Sequence, residues 1–209
     1  GTTHQPVIML RHDWELSDKT SLMTAVGTQF GRNGGTALDW YDARDPRPDY
    51  YRRLPSFIEG EQSQEVADLL RRSEAARQID WAYMYDANRN SLQTIEDVNG
   101  IPGNNVTGLR SQYILEDRRF DDERYMFNTI LESILNQSVT LNGGLSYTWH
   151  KGSNYKLVDD LLGGEFYVDI DKFAEFDSTS NLLFIQNDLD NPNRIVREGD
   201  RWGYDYDIH

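Results

Sequence analysis

The chain's 209 residues leave room for one domain, and a net charge of −14 argues against nucleic acid or an anionic membrane surface as partner. The absence of cysteine excludes disulfides, thiolate catalysis and cysteine-held metals. Hydrophobic residues reach only 38%, so an ordinary globular core would be thin, although aromatics stand at 12%.

Residues 6–16 and 21–31 alternate in character on either side of the polar turn 17–20. Ile8, Leu10, Trp14 and Leu16 share one face, interrupted by His12, while Arg11, Asp13 and Glu15 take the other. In the second segment Leu22, Val26 and Phe30 form the apolar set. Both sets are even-numbered, so an antiparallel hairpin must pair positions whose numbers sum to an even value. Pairing Leu16 with Thr20 or with Leu22 meets this condition.

A long connection, 32–110, follows, far beyond the usual length. Its 39–54 stretch is the densest recognition-like segment. Trp40, Tyr41, Tyr50 and Tyr51 offer flat stacking surfaces, and Arg44, Arg47, Arg52 and Arg53 offer donor forks, with Pro46 and Pro48 stiffening the chain. Such a mix suits a sugar or peptide ligand. It equally suits a loop that folds back and pins itself with Arg–Asp pairs. The candidate ligand-binding residues are Trp40, Tyr41, Arg44, Tyr50, Tyr51 and Arg52.

Residues 63–79 read as a helix capped by Ser63, with Val66, Leu69, Leu70, Ala76 and Ile79 in one stripe. A second short helix starts at Asp80, with Trp81, Met84 and Tyr85 on its apolar side. Residues 86–97 partly match a calcium loop but lack its sixth-position Gly and its closing Glu, so a turn after a helix is the better reading.

The next strand, 111–135, carries Tyr125, Phe127, Thr129, Leu131, Ser133 and Leu135 on one face. After the turn 136–138 comes the clearest alternation, 139–151, with Val139, Leu141, Leu145, Tyr147 and Trp149 apolar and Thr140, Asn142, Ser146 and Thr148 polar but uncharged. Pairing Leu135 with Val139 sets Tyr125 opposite Trp149, a favourable cross-strand aromatic pair. The long segment 152–202 holds a candidate helix at 154–162, a strand-like 166–170 and a helical 171–176. Residues 203–209 alternate again and start another strand. Thirteen acids against four bases lie from Asp159 to His209, and a solvated acidic surface accounts for them better than a cation site. Asp169, Asp171, Asp188 and Asp190 serve equally well as turn and cap residues.

Catalytic signatures are lacking: there is no G-x-S-x-G, no phosphate-cradling glycine loop and no H-E-x-x-H. His4, His12, His150 and His209 have no metal-ligand spacing. The sequence thus points to a binding protein, not an enzyme, with no cofactor or metal. Short turns, long intervening loops and apolar stripes of strand period describe a mainly β chain, the antiparallel hairpins of a transmembrane β-barrel fragment whose long loops contain short helices.

Several strings together resemble Bacteroidetes-type TonB-dependent outer-membrane receptors: residues 4–36, 39–57, 99–129 and above all 187–209, NDLDNPNRIVREGDRWGYDYDIH. The likeness covers nearly the whole chain and is weakest over 55–100 and 178–186. It implies a middle segment of a roughly 22-stranded, plug-filled barrel that imports a nutrient with energy relayed by TonB. Residues 17–20 and 136–138 would be periplasmic turns, and 32–110 and 152–202 extracellular loops in the Gram-negative outer membrane. The plug that contacts the TonB complex is absent from this stretch. The implied partners are outer-membrane lipid and a small-molecule, glycan or peptide ligand. The competing expectation is a soluble β-rich, carbohydrate-binding-like module in which the same stripes form a sandwich core.

Overall fold

A computed structural model describes residues 1–177 and 182–209. The described chain is mainly β and its sheets are antiparallel. It divides into two units, the first comprising Gly1–Thr36, Asp117–Lys156 and Tyr204–His209, the second Ala37–Glu116 and Leu157–Gly203.

The principal sheet contains β1 (Thr2–His4), β2 (Val7–Ser17), β3 (Thr20–Trp40), β6 (Tyr113–Asn136), β7 (Val139–Asp160) and β10 (Arg201–Ile208), ordered β1-β3-β6-β7-β10 with β2 also pairing β3. In the first hairpin Leu10 faces Val26 and Trp14 faces Leu22, an even sum as the alternation requires. The register shifts between Glu15 and Ser17, so the turn closes with Ser17 opposite Thr20 around Asp18 and Lys19. This bulge keeps the apolar residues of both strands on one side while allowing a two-residue turn.

The same face continues across the sheet. Thr20 and Ser133 hydroxyls lie 2.9 Å apart and those of Thr24 and Thr129 3.2 Å, so even residues of β3 sit beside odd residues of β6. The Tyr125 and Trp149 rings meet at 5.6 Å, which places odd residues of β7 next in line. The stripes of the two hairpins therefore share one face. That face is uncovered: Leu10 is 69% exposed, Leu145 63% and Tyr147 61%, and Val26, Phe30, Leu135, Val139 and Leu141 are exposed as well.

The strands run further than sequence alternation indicates. β3 continues past residue 31 to Trp40 because Arg32, Asn33 and Gly34 pair with β1. The candidate helix at 154–162 is instead the end of β7. There the backbone of Val158 accepts from Gly199 N (2.8 Å) and donates to Asp200 O (3.0 Å), which overrides the weak local preference of NYKLVDD. Among the described residues no helix is long and apolar enough to cross a membrane, which says nothing about crossing by strands.

The second unit carries the helices and the buried core. α1 (Glu61–Arg72) begins two residues before Ser63, whose hydroxyl donates instead to Pro55 O at 2.8 Å. It stops well short of residue 79 because Ser73 turns extended, its hydroxyl accepting Ala76 N ahead of a separate 3-10 turn at Ala75–Arg77. α2 (Trp81–Arg89) starts where expected, the Asp80 carboxylate accepting Tyr83 N at 3.0 Å. Two small hairpins complete the unit, β4 (Leu92–Ile95) with β5 (Val106–Leu109) and β8 (Tyr167–Val168) with β9 (Ile195–Val196). The short α3 (Lys172–Asp177) occupies the region read as helical, with Asp171 accepting Phe173 N and Ala174 N.

Three buried clusters hold this unit. Ile114, Val158, Leu161, Tyr167, Val196 and Trp202 form one, Phe166, Val168, Ile170 and Ile185 a second, and Met84, Tyr113 and Leu162 a third. α2 is tied to the third by Asn88, fully buried in its last turn. Its amide donates to Tyr113 O and Leu161 O and accepts from Gln112 N and Tyr113 N. One side chain thereby satisfies main-chain groups that neither helix nor sheet serves.

Candidate ligand-binding cleft

The 39–54 segment leaves the end of β3 and folds around Asp45. Tyr41 N donates to Gln112 O (2.8 Å), fixing the start of the segment. Asp45 is only 8% exposed, and its carboxylate accepts Arg47 N (2.9 Å), Nε (2.9 Å) and Nη2 (2.5 Å). Arg53 closes the loop by donating from Nη2 to the Asp45 carbonyl. An Asx turn at Asp45 and the fixed φ of Pro46 and Pro48 bring these partners together. Burial alone would raise the Asp45 carboxyl, but the hydrogen bonds and charge of Arg47 outweigh it and hold the group below the usual carboxylate range. The structure thus contains the Arg–Asp self-pinning that the segment's composition allows.

Within this frame the six candidate residues take different places. Trp40 is half-buried against the third cluster, with Lys172 Nζ 4.7 Å and Arg47 5.3 Å from its ring centre. Tyr41 packs against the first two clusters beneath the Arg110 guanidinium, 4.0 Å away. Both rings are platforms for the protein's own cations. Tyr50 and Tyr51 meet edge-on at 5.0 Å, and Tyr51 in turn meets Phe57 at 5.2 Å. Of the six, Arg44 and Arg52 line a cavity together.

That cavity, about 510 Å³, lies between the 44–58 segment and helices α1 and α2. Its walls are largely apolar: Pro46, Pro48, Ile58, Val66, Leu69, Leu70 and Met84. Arg44, Arg52 and Arg53 supply its positive charge, with Asp80 committed to capping α2. The Arg44 guanidinium stacks 3.7 Å over the Tyr83 ring, and Arg52 Nε donates to Tyr51 Oη at 2.9 Å. Among the described residues none of the three arginines forms a salt bridge, in contrast to Arg47 beside them.

Two contributions were hidden in the sequence. The Val66–Leu69–Leu70 stripe reads as core-facing, yet it lines the cleft and leaves Leu69 52% exposed. Arg53 belongs to the cleft, and its five-residue offset from Pro48 gives no signal of that.

Of the acidic pairs, Asp188 acts locally and Asp169 ties segments distant in the chain. Asp188 accepts Asp190 N and Asn191 N in a turn, while buried Asp169 accepts Asn187 Nδ2 and Gly203 N at 2.9 Å each. Asp97, at the end of the partial calcium match, sits at positive φ and accepts Gly103 N. No group of three or more metal-ligating side chains occurs among the described residues. Comparison with family models, curated proteins and solved structures finds no match.

Proposed function

We propose that the chain is a segment of a TonB-dependent outer-membrane receptor whose strands cross the bilayer and whose long connections, 32–110 and 152–202, are extracellular and capture a nutrient ligand for import. The observation that carries this reading is the shared face on which Leu10, Val26, Leu135, Leu145 and Tyr147 all lie exposed. A contiguous apolar surface of this kind on strands of membrane-crossing length suits contact with acyl chains. The opposite face, with Asn128, Asn142, Ser146 and Thr148, suits a hydrated lumen, although Met9, Ile130 and Ile134 are also exposed on it. Lipid cannot solvate open strand edges, so this reading requires both outer edges of the sheet to be paired in the membrane.

The test is quenching by brominated lipids of Trp14, an exposed residue of the apolar face. Reconstituted chain should lose fluorescence, and Trp14→Phe should lose a smaller part of it, Trp149 on the same face supplying the rest. Absence of quenching, with a sharp monomeric unfolding transition in detergent-free buffer, would reject membrane insertion.

The buried clusters of the second unit favour a second reading, a β-rich ligand-binding module working in water. It needs another surface to cover Leu145 and Tyr147, and the same quenching experiment separates the two.

A further inference from the structure

The cleft beside Arg44 has the features of a specific small-molecule site, and they restrict its occupant. We infer that it binds a small molecule with an apolar body and one carboxylate head, anchored by Arg44. The inference rests on the reading of the long connections as the ligand-capturing part, and it names the chemical class captured.

Size comes first. A volume of about 510 Å³ falls in the range of pockets that enclose small ligands. Wall chemistry comes next. Val66, Leu69 and Leu70 from α1 and Ile58 from the segment opposite give the body of a ligand an apolar surface, while a free sugar would meet few partners there. Charge decides the head group. The chain carries −14, and beside the cavity Arg47 is neutralised by Asp45. Arg44, Arg52 and Arg53 converge on one cavity; none forms a salt bridge among the described residues, although Arg53 also sits in the field of Asp45. An anion finds favourable potential there and repulsion over much of the remaining surface.

The donors available favour a carboxylate. Arg53 spends one Nη on the Asp45 carbonyl and Arg52 spends Nε on Tyr51. Arg44 lies flat on Tyr83, a contact that uses the guanidinium face and leaves its in-plane N–H groups for a ligand. A planar fork of that kind matches a carboxylate in bidentate fashion. The stack on Tyr83 also fixes the fork's orientation before a ligand arrives, which lowers the ordering cost of binding.

The experiment is calorimetric titration of the full chain, in an uncharged detergent, with 2-naphthoate and with its neutral carboxamide. Naphthoate should bind, and the carboxamide about tenfold or more weaker. Arg44→Gln should weaken naphthoate about 10–100-fold while leaving the carboxamide unchanged, which also reports that the cleft is still folded. Arg52→Gln, at an exposed side chain, should give a smaller loss in the same direction. Val66→Trp, which fills the cavity, should abolish both ligands. Equal affinity for acid and amide, or naphthoate binding indifferent to both arginine variants, would overturn the proposal. Failure to bind in a chain whose Trp14 is lipid-quenched rejects the cleft assignment alone. Binding in a chain that is never lipid-quenched rejects the membrane reading alone.

Discussion

Asn88 and Tyr113 are joined through both ends of one side-chain amide: Oδ1 accepts Tyr113 N at 3.0 Å while Nδ2 donates to Tyr113 O at 2.7 Å. The same amide reaches Leu161 O and Gln112 N, and no solvent reaches it. Asn88→Ala would remove the side-chain partner of Tyr113 N, Tyr113 O and Gln112 N, while Leu161 O keeps Ser111 Oγ and Gly164 N; each buried group left unpaired costs about 1–3 kcal/mol. The expected loss is about 3 kcal/mol or more, read as a lower urea midpoint of the second unit. Hydrogen exchange at Tyr113 should accelerate with it, whereas a change under 1 kcal/mol would show that water replaces the amide without penalty.

The uncovered face makes a prediction with direction. Leu145→Arg should weaken partition into lipid vesicles by about 2–4 kcal/mol, the cost of a cation on a lipid-facing strand position. Ser146→Arg, one residue on and on the opposite face, should change partition far less. Equal losses at both positions would mean that the sheet does not present one face to lipid.

Acid should loosen the 44–54 segment through Asp45. Its carboxyl titrates lower in the folded chain than when unfolded, so its stabilisation is present above the unfolded pKa of about 3.9. That contribution is lost as pH falls through the lower folded value. Asp45→Asn should cost roughly 1–3 kcal/mol at neutral pH and flatten this acid dependence. Acid unfolding curves of the two chains settle the matter, and superimposable profiles would exclude the Asp45–Arg47 pair as a pH-dependent brace.

Close backbone approach gives a fourth test. A Cβ on Gly34 would meet Arg118 O at 2.5 Å, whereas one on Gly143 meets nothing within 4 Å. Gly34→Ala should therefore destabilise the first unit by about 1–3 kcal/mol and raise exchange near Arg118. Gly143→Ala should be neutral or slightly stabilising. Thermal scans of both variants provide the comparison.

Much of the first unit was legible because a two-residue period leaves few choices. The even sum of paired positions in β2 and β3 and the Tyr125–Trp149 contact follow from alternation alone. The Asp80 cap was legible for a similarly local reason, a side chain bonding three residues ahead. Where distant partners decide, the sequence is silent. Residues 154–160 are extended because Gly199 and Asp200 meet Val158, and 32–34 because β1 lies beside them. In the candidate site, aromatic and arginine content marked the right segment but not the roles within it. Trp40 and Tyr41 serve the protein's own cations, and the cleft takes shape only once α1 packs opposite Arg44.

The irregularity between Glu15 and Ser17 confines a change of phase to the tip of the first hairpin. An added residue within β2 would swap inside for outside along everything upstream of it, whereas the Asp18–Lys19 tip already absorbs an odd residue. That tip is accordingly the place to graft an epitope or a fluorophore tag, since extra length there leaves both strands in step.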